Sequence, residues 1–173
     1  MNQEFKIRKA IKGDDNAFLE LINECKECLY RTAFAYVKDE HNALDIVQET
    51  VYKAYMSINK LKEPKYFNTW ITRILINNAI NFIKKEEKLI CLEQKDLVNI
   101  IGINKVNNEE QIDLLDMVDK LQDKYKEIII LKYFSDLTIK EISKILDMPI
   151  GTVKTYLNKG LVNLREFMVK EII

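Results

Sequence analysis

Only 4 glycines and 2 prolines occur among the 173 residues, and no other feature limits the fold so sharply. Sheets and barrels reverse the chain often, and tight reversals lean on Gly and Pro. A chain this poor in both is confined to long helices joined by few turns. The apolar pattern agrees. Phe18, Leu21, Ile22, Cys25, Leu29 and Phe34 recur at three- and four-residue steps, which predicts an amphipathic helix from Asp14 to Val37. Asp14 and Asp15 suit its positive N-terminal end. After the polar break Lys38–Asn42, a second helix is expected over Asn42–Ile58, with Leu44, Val47, Val51, Ala54 and Ile58 facing inward. The basic stretch Asn59–Asn68 holds a proline and reads as a loop. A third helix is expected from Phe67 to Glu87, with Trp70, Ile71, Ile74, Leu75, Ile80 and Ile83 as its apolar surface and Lys84 and Lys85 at its C-terminal end.

Beyond Lys88 the character changes. Asn-rich patches, weak periodicity and the pair Glu109-Glu110 mark a linker, although Leu89, Ile90, Leu92, Leu97, Val98, Ile100 and Ile101 seek burial. Helical period resumes near Ile112: Leu114, Met117, Val118 and Leu121, then Tyr125, Ile128, Ile129 and Leu131. Two shorter helices follow around a break at Asp147-Met148-Pro149. Ile139, Ile142 and Leu146 line the first, and Val153, Leu157, Leu161 and Leu164 line the second, from Ile150 to Met168. Two stripes joined so closely must cross steeply to bury both, which is the helix-turn-helix arrangement. Pro149 suits the edge of the second helix, and Gly151 is read as a close-packing position. The expected fold is all-α: a helical domain over 1–88, a linker over 89–111, and a helix-turn-helix domain over 112–173.

Several function classes fall away. Net charge is +0, with 27 cations and 27 anions, so DNA binding must rest on local segregation of charge. No long apolar run predicts a membrane span, and the first twenty residues lack the apolar core of a signal peptide, so a cytoplasmic protein with reduced cysteines is expected. Cys25 and Cys28 form a C-x-x-C that Cys91 and His41 would have to complete as a zinc site. A second close pair is missing and the motif falls inside a helix, so two half-buried thiols are expected and no metal or cofactor. There is no Gly-rich phosphate loop and no nucleophile elbow, so neither an enzyme nor a small-molecule substrate is expected.

Local constellations remain. Tyr66, Phe67 and Trp70 stand beside Lys60, Lys62, Lys65 and Arg73, with Asn77, Asn78 and Asn81 following on the same helix. Rings that stack on exposed bases, cations that hold the backbone and amides that bond base edges are what a single strand needs. Each part also has a plainer reading, Trp70 as core and the asparagines as merely solvated. Asp45, Gln48 and Glu49 cluster on the second helix as an acidic, polar face, either solvated or a dock for a basic partner. Lys154, Thr155, Asn158 and Lys159 point outward near the start of the last helix, as donors for phosphates and base edges.

Asp45-Ile46-Val47-Gln48-Glu49-Thr50 followed by Lys53-Ala54-Tyr55, the run Phe67–Ile83, and Gly151-Thr152-Val153-Lys154 after Glu141-Ile142 together resemble sigma factors of the extracytoplasmic-function group. The resemblance spans nearly the whole chain in the right order. It implies that Asp45, Gln48, Glu49 and the neighbouring Tyr52 bind core RNA polymerase. It implies that loop Asn59–Asn68, with Asn77 and Asn81, captures a flipped base of the −10 element. Thr152, Lys154, Thr155, Asn158 and Lys159 would read the −35 element of promoter DNA, and the linker with Glu109 and Glu110 would thread polymerase near the RNA path. Such proteins are usually held inactive by an anti-sigma factor, often one anchored in the membrane. Gln122 stands where the family often has proline, Asn81 where many have aspartate, and Tyr156 where arginine is frequent. A stand-alone helix-turn-helix regulator accounts equally well for the C-terminal half. It does not account for the acidic face and the basic-aromatic loop.

Overall fold

The computed structural model describes residues 3–96 and 114–172. Its N-terminal domain is built on α2 (Asp15–Val37), α3 (Glu40–Ser57) and α4 (Phe67–Asp96), with a short α1 (Gln3–Ile11) laid across α2. Side chains fix each start. Asp14 accepts from the Ala17 N–H at 3.0 Å, and Asp39 accepts from the Asn42 N–H at 2.8 Å. Lys38 (φ 54°) ends α2 in the left-handed conformation and donates its N–H to the Phe34 carbonyl at 2.8 Å. The sequence reading missed α1, because nine residues that bury only Ile7 and Ala10 leave too short a stripe. Gly13 (φ 93°) turns the chain from α1 into α2, where a side chain would be strained.

Phe18, Leu21, Leu29, Phe67, Ile71 and Leu75 form the core, and the fully buried Ala33, Ala43, Ala54 and Ala79 let the helices approach closely. This corrects the expected stripe of α3. Its buried residues are Ala43, Ile46, Thr50 and Ala54, while Leu44 is 48% exposed. The helix turns its small side chains inward and leaves larger ones on the surface. Helix α4 also overruns its expected end. No Gly or Pro falls between Phe67 and Asp96, so the first residues assigned to the linker continue the helix. Leu97 to Gln111, with Glu109 and Glu110, lie outside the described residues.

The C-terminal domain comprises α5 (Leu114–Asp119), α6 (Asp123–Tyr133), α7 (Ile139–Ile145) and α8 (Ile150–Ile172). Val118, Ile128, Ile130, Leu131, Ile142 and Val153 are essentially inaccessible at its centre. Leu161, expected on the inner stripe of α8, is exposed, and Gly160 takes the inner position against Ile129 and Tyr125. Gly151 has open space around it, so its expected packing role moves to Gly160.

The two domains pack against each other. Ala35 of α2 is buried among C-terminal residues, and Ile76 of α4 joins Ile128, Leu131, Leu137, Ile142 and Val153. Burying one such isoleucine stabilises the contact by about 1.5–3 kcal/mol. The hydroxyls of Thr32 and Ser135 share a hydrogen bond at 2.9 Å, both buried. At one edge Lys38 reaches Asp116 at 3.0 Å and Asp119 at 2.7 Å. Burial acts against the charge of both Lys38 and Asp119, yet their hydrogen bonds outweigh it, raising the lysine and lowering the carboxyl.

Candidate partner and nucleic-acid interfaces

The first candidate face lies on α3. Asp45, Gln48, Glu49 and Tyr52 are all exposed, one or two turns apart on one side, as the spacing predicts. Glu49 is paired to Lys53 at 3.0 Å, so the patch is less acidic than the sequence alone implies. What the sequence reading missed is its apolar part. Leu44, Tyr52, Tyr55 and Met56 on α3 and Leu19 on α2 are each about half exposed or more. Of these, Leu19, Tyr52 and Tyr55 line a groove of about 520 Å³ between α2 and α3, with Val47, Val51 and the buried Phe18 along it. Tyr55 stands edge-on to Phe18 at 5.3 Å and donates its hydroxyl to Asp15 at 2.9 Å, which fixes one wall. The signal was present in the outward four-residue spacing of Leu44, Gln48 and Tyr52, masked by assigning Leu44 to the core. An exposed apolar groove beside polar residues is a candidate interaction site.

The second face begins at the α3–α4 connection, two 3-10 turns over Ile58–Lys60 and Pro64–Tyr66. Ile58, Leu61, Pro64 and Phe67 are buried and pin this loop, which turns Lys60, Lys62, Lys65 and Tyr66 outward. Phe67 is therefore corrected as a base-stacking candidate: at 1% exposure its ring belongs to the core. Trp70 is half-buried against that core, tilted to Phe67 with centroids 6.0 Å apart. Arg73, Asn77 and Asn81 are exposed at four-residue intervals, a stripe that continues the loop along α4. Asn78 is not part of it. Its amide donates to the Thr50 hydroxyl at 3.0 Å and accepts from Lys53 at 2.7 Å, tying α4 to α3.

The C-terminal domain covers part of this face. Lys144 of α7 stands over the Tyr66 ring, 4.1 Å from its centroid, and its cation holds the phenol below its ordinary range. Thr69 donates to Glu141 at 3.2 Å, and Arg73 donates to the carbonyls of Lys144 at 3.2 Å and Ile145 at 3.3 Å.

The third face is the helix-turn-helix. Thr138 and Glu141 form a reciprocal cap at the start of α7. Burial disfavours the Glu141 carboxylate, but bonds from the Thr138 N–H and hydroxyl and from Thr69 pull it below the usual range. The turn closes through Asp147 (φ 52°) and a bond from the Ser143 hydroxyl to the Met148 carbonyl at 2.5 Å. Lys154, Thr155, Asn158 and Lys159 are exposed and Thr152 is partly so, with the Thr155 hydroxyl bonded to the Gly151 carbonyl at 2.9 Å. Tyr156 is half-buried, edge-on to Tyr125 at 5.5 Å, a packing role that suits a residue replacing arginine. Gln122 adopts φ −61°, the angle that proline's ring would impose there.

The thiols of Cys25 and Cys28 lie half-buried on α2, and burial pushes Cys25 up to about 12. Among the described residues no group of three or more His, Cys, Asp or Glu side chains is placed to hold a metal ion, and no helix is long and apolar enough to cross a membrane.

Comparison with known proteins matches two separate stretches of the chain to family models. Residues 21–89 match the family model of Sigma-70 region 2, and residues 111–164 match that of Sigma-70 region 4. The chain is 36% identical over 150 residues to the RNA polymerase sigma factor SigV of Bacillus subtilis, covering 87% of this chain and 90% of that one. It is 31% identical over 175 residues to the ECF RNA polymerase sigma factor SigW of the same organism, covering 93% and 94%. Among solved structures it is similar to CnrH in complex with the cytosolic domain of CnrY, with TM-score 0.73, 16% identity and 97% of each chain covered. It is also similar to the sigma factor RpoE in complex with the anti-sigma factor NepR from Bartonella quintana, with TM-score 0.68, 20% identity and 86% and 96% covered.

Proposed function

We propose how the two domains divide the work of promoter recognition, from the premise that this chain belongs to the extracytoplasmic-function (ECF) RNA polymerase sigma factors. It is an alternative sigma factor that directs transcription initiation. It catalyses nothing itself and acts in the cytoplasm as the specificity subunit of core polymerase. The α3 face, with Asp45, Gln48, Glu49 and Tyr52 beside the apolar groove, binds core polymerase. The pinned loop and α4 stripe, with Lys60, Lys62, Lys65, Tyr66, Trp70, Arg73, Asn77 and Asn81, hold the unpaired −10 strand. Cations meet phosphates, rings meet bases, and the amides read edges. Thr152, Lys154, Thr155, Asn158 and Lys159 enter the major groove at the −35 element. Solved relatives are complexed with the cytosolic domain of CnrY or with NepR, and this chain is likewise held by an anti-sigma factor, often one anchored in the membrane, until it is needed.

The observation that carries the reading is the α2–α3 groove: a half-exposed aromatic and aliphatic surface next to the polar residues of the family motif. A stand-alone helix-turn-helix regulator needs no such face. The test is run-off transcription with purified core polymerase on genomic promoter fragments, with and without the protein. Discrete new transcripts that disappear in the triple variant Asp45→Ala, Gln48→Ala, Glu49→Ala are expected. Specific duplex binding by the free chain without any transcript would favour the stand-alone regulator.

A further inference from the structure

Helix α1 precedes residue 21, where the match to Sigma-70 region 2 begins, yet it packs against the loop assigned above to the −10 strand. That loop, residues 59–68, has little of its own to hold its shape. Its two 3-10 turns have no side-chain caps. They are closed by backbone bonds from the Leu61 N–H to the Ile58 carbonyl and from the Tyr66 N–H to the Glu63 carbonyl, both at 3.0 Å. Turns of this kind have poor hydrogen-bond geometry, so their shape is set by what their apolar side chains pack on.

Part of that support comes from α1. It lies against both turns, while α3 also backs the first and α4 the second. Ile7 and Ala10, 3% and 2% exposed, belong to the same apolar cluster as Ile58, Leu61 and Phe67. In turn α1 is fastened to α2. Lys6 pairs with Glu20 at 3.0 Å and with Glu24, one turn further along. The Asp14 N–H donates to the Lys9 carbonyl at 3.1 Å, which ties the end of α1 to the cap of α2. Lys60, Lys62, Lys65 and Tyr66 are carried outward by the loop whose inner residues rest on this base. Binding groups have to be held within about 0.5 Å of their productive positions by the packing behind them.

We propose that Ile7 is a positioning residue for −10 recognition: through it, α1 sets the pose of the loop that captures the −10 base. The inference rests on the promoter-binding reading above and adds a residue on which its specificity depends. Loss of folded protein lowers transcription from every promoter by one common factor. A shifted loop instead weakens discrimination at the −10 element and leaves reading of the −35 element, assigned to α8 in the other domain, as it was. The two effects are therefore separable.

The test uses the full-length chain and the series Ile7→Val, Ile7→Ala, which shortens the buried side chain stepwise. Run-off transcription with core polymerase is measured on a promoter that the wild-type chain uses, on copies with single-base substitutions in the −10 element, and on a copy with an altered −35 element. Wild type should lose at least about fivefold for the most sensitive −10 substitution. Ile7→Ala should narrow that ratio to within about twofold, Ile7→Val should fall between, and the −35 ratio should hold in all three. Amide exchange of the free chain is the second readout. The Leu61 and Tyr66 N–H groups should exchange at least about tenfold faster in Ile7→Ala, with the amides of α6 unchanged. Should Ile7→Ala fail to fold, Ile7→Val carries both readouts, with changes in the same direction. An unchanged −10 ratio in folded protein, −10 and −35 ratios that fall together, or unmoved exchange at Leu61 and Tyr66 would each overturn the proposal. A wild-type chain that initiates without regard to −10 sequence would instead count against the promoter-binding reading, and the exchange readout would still decide whether α1 holds the loop.

Discussion

Gly151 and Gly160 lie on one helix, and the same substitution at each should have opposite consequences. Alanine is favoured over glycine in a helix interior by about 1 kcal/mol, and somewhat less in the first turn. At Gly151 an added Cβ meets nothing within 4 Å, so Gly151→Ala keeps a gain of about 0.5 kcal/mol. At Gly160 the Cβ would lie 3.1 Å from Ile129 Cγ1 and 3.4 Å from both Ile129 Cδ1 and Tyr125 Cβ. Ile129 is 2% exposed and Tyr125 8%, so neither can swing toward solvent to make room. Overpacking of this kind costs about 1–3 kcal/mol, which exceeds the propensity gain and leaves Gly160→Ala destabilised by up to about 2 kcal/mol. The effect of alanine on the unfolded chain is common to both and cancels. For a chain of this size about 1 kcal/mol moves Tm by roughly 2–4 °C, so Gly160→Ala should melt about 1–10 °C below Gly151→Ala. Thermal unfolding of the two full-length variants, followed by far-UV circular dichroism without DNA, decides it. A Gly160→Ala protein that melts at or above Gly151→Ala would show that α6 yields to α8, refuting the packing argument.

Two other consequences follow from side-chain polar bonds. Asn78→Ala removes a donor to the inaccessible Thr50 hydroxyl, which keeps its own bond to the Ile46 carbonyl at 2.7 Å. Lys53 retains Glu49 and solvent, so the cost is one buried bond plus a small cavity, about 2 kcal/mol by urea unfolding, and a loss under about 0.5 kcal/mol would remove Asn78 from the α3–α4 junction. Glu141 has its folded pKa lowered from the ordinary 4.5, so its stabilisation is present above that value and lost as pH falls through the folded one. The Tm gap between wild type and Glu141→Gln should thus be widest near neutrality and close as acidification carries the pH down through the lowered value of the folded carboxyl, and a gap independent of pH would exclude the carboxylate as its source.

Periodicity located the long helices and the helix-turn-helix because each carries a stripe that burial requires. It erred where burial was achieved by small residues. In α3 the alanines face inward and Leu44 outward, so a rule that places the larger apolar side chain inside rotates the helix. That rotation hid half of the α2–α3 groove. Phe67 and Asn78 failed for a related reason: aromatic and amide types suit both a nucleic-acid face and a core, and only the fold separates them. The charged and polar residues Asp45, Lys62, Arg73, Asn77 and Lys154 were easier to place, because a charged or polar side chain without a buried partner has to remain at the surface. The domain interface was illegible, since its members are scattered over α2, α4, α5, α6, α7, α8 and the connections between helices, with no shared spacing.

Electrostatics and the interface together constrain the order of assembly. With net charge +0, the chain has no long-range attraction for DNA, and each proposed DNA-facing surface offers only a few cations: Lys60, Lys62, Lys65 and Arg73 on one, Lys154 and Lys159 on the other. Each phosphate neutralised contributes through released counterions, so so few contacts give only weak binding at physiological salt. Of the first set, Arg73 is also bonded to carbonyls of α7. On this reading neither proposed surface suffices alone, and both gain when held at a fixed spacing. Attachment to core polymerase through the proposed α3 face would supply that spacing and turn the second DNA contact into an intramolecular event at high effective concentration. On this reading polymerase precedes promoter, and the chain should be found on promoter DNA only as part of the assembled complex.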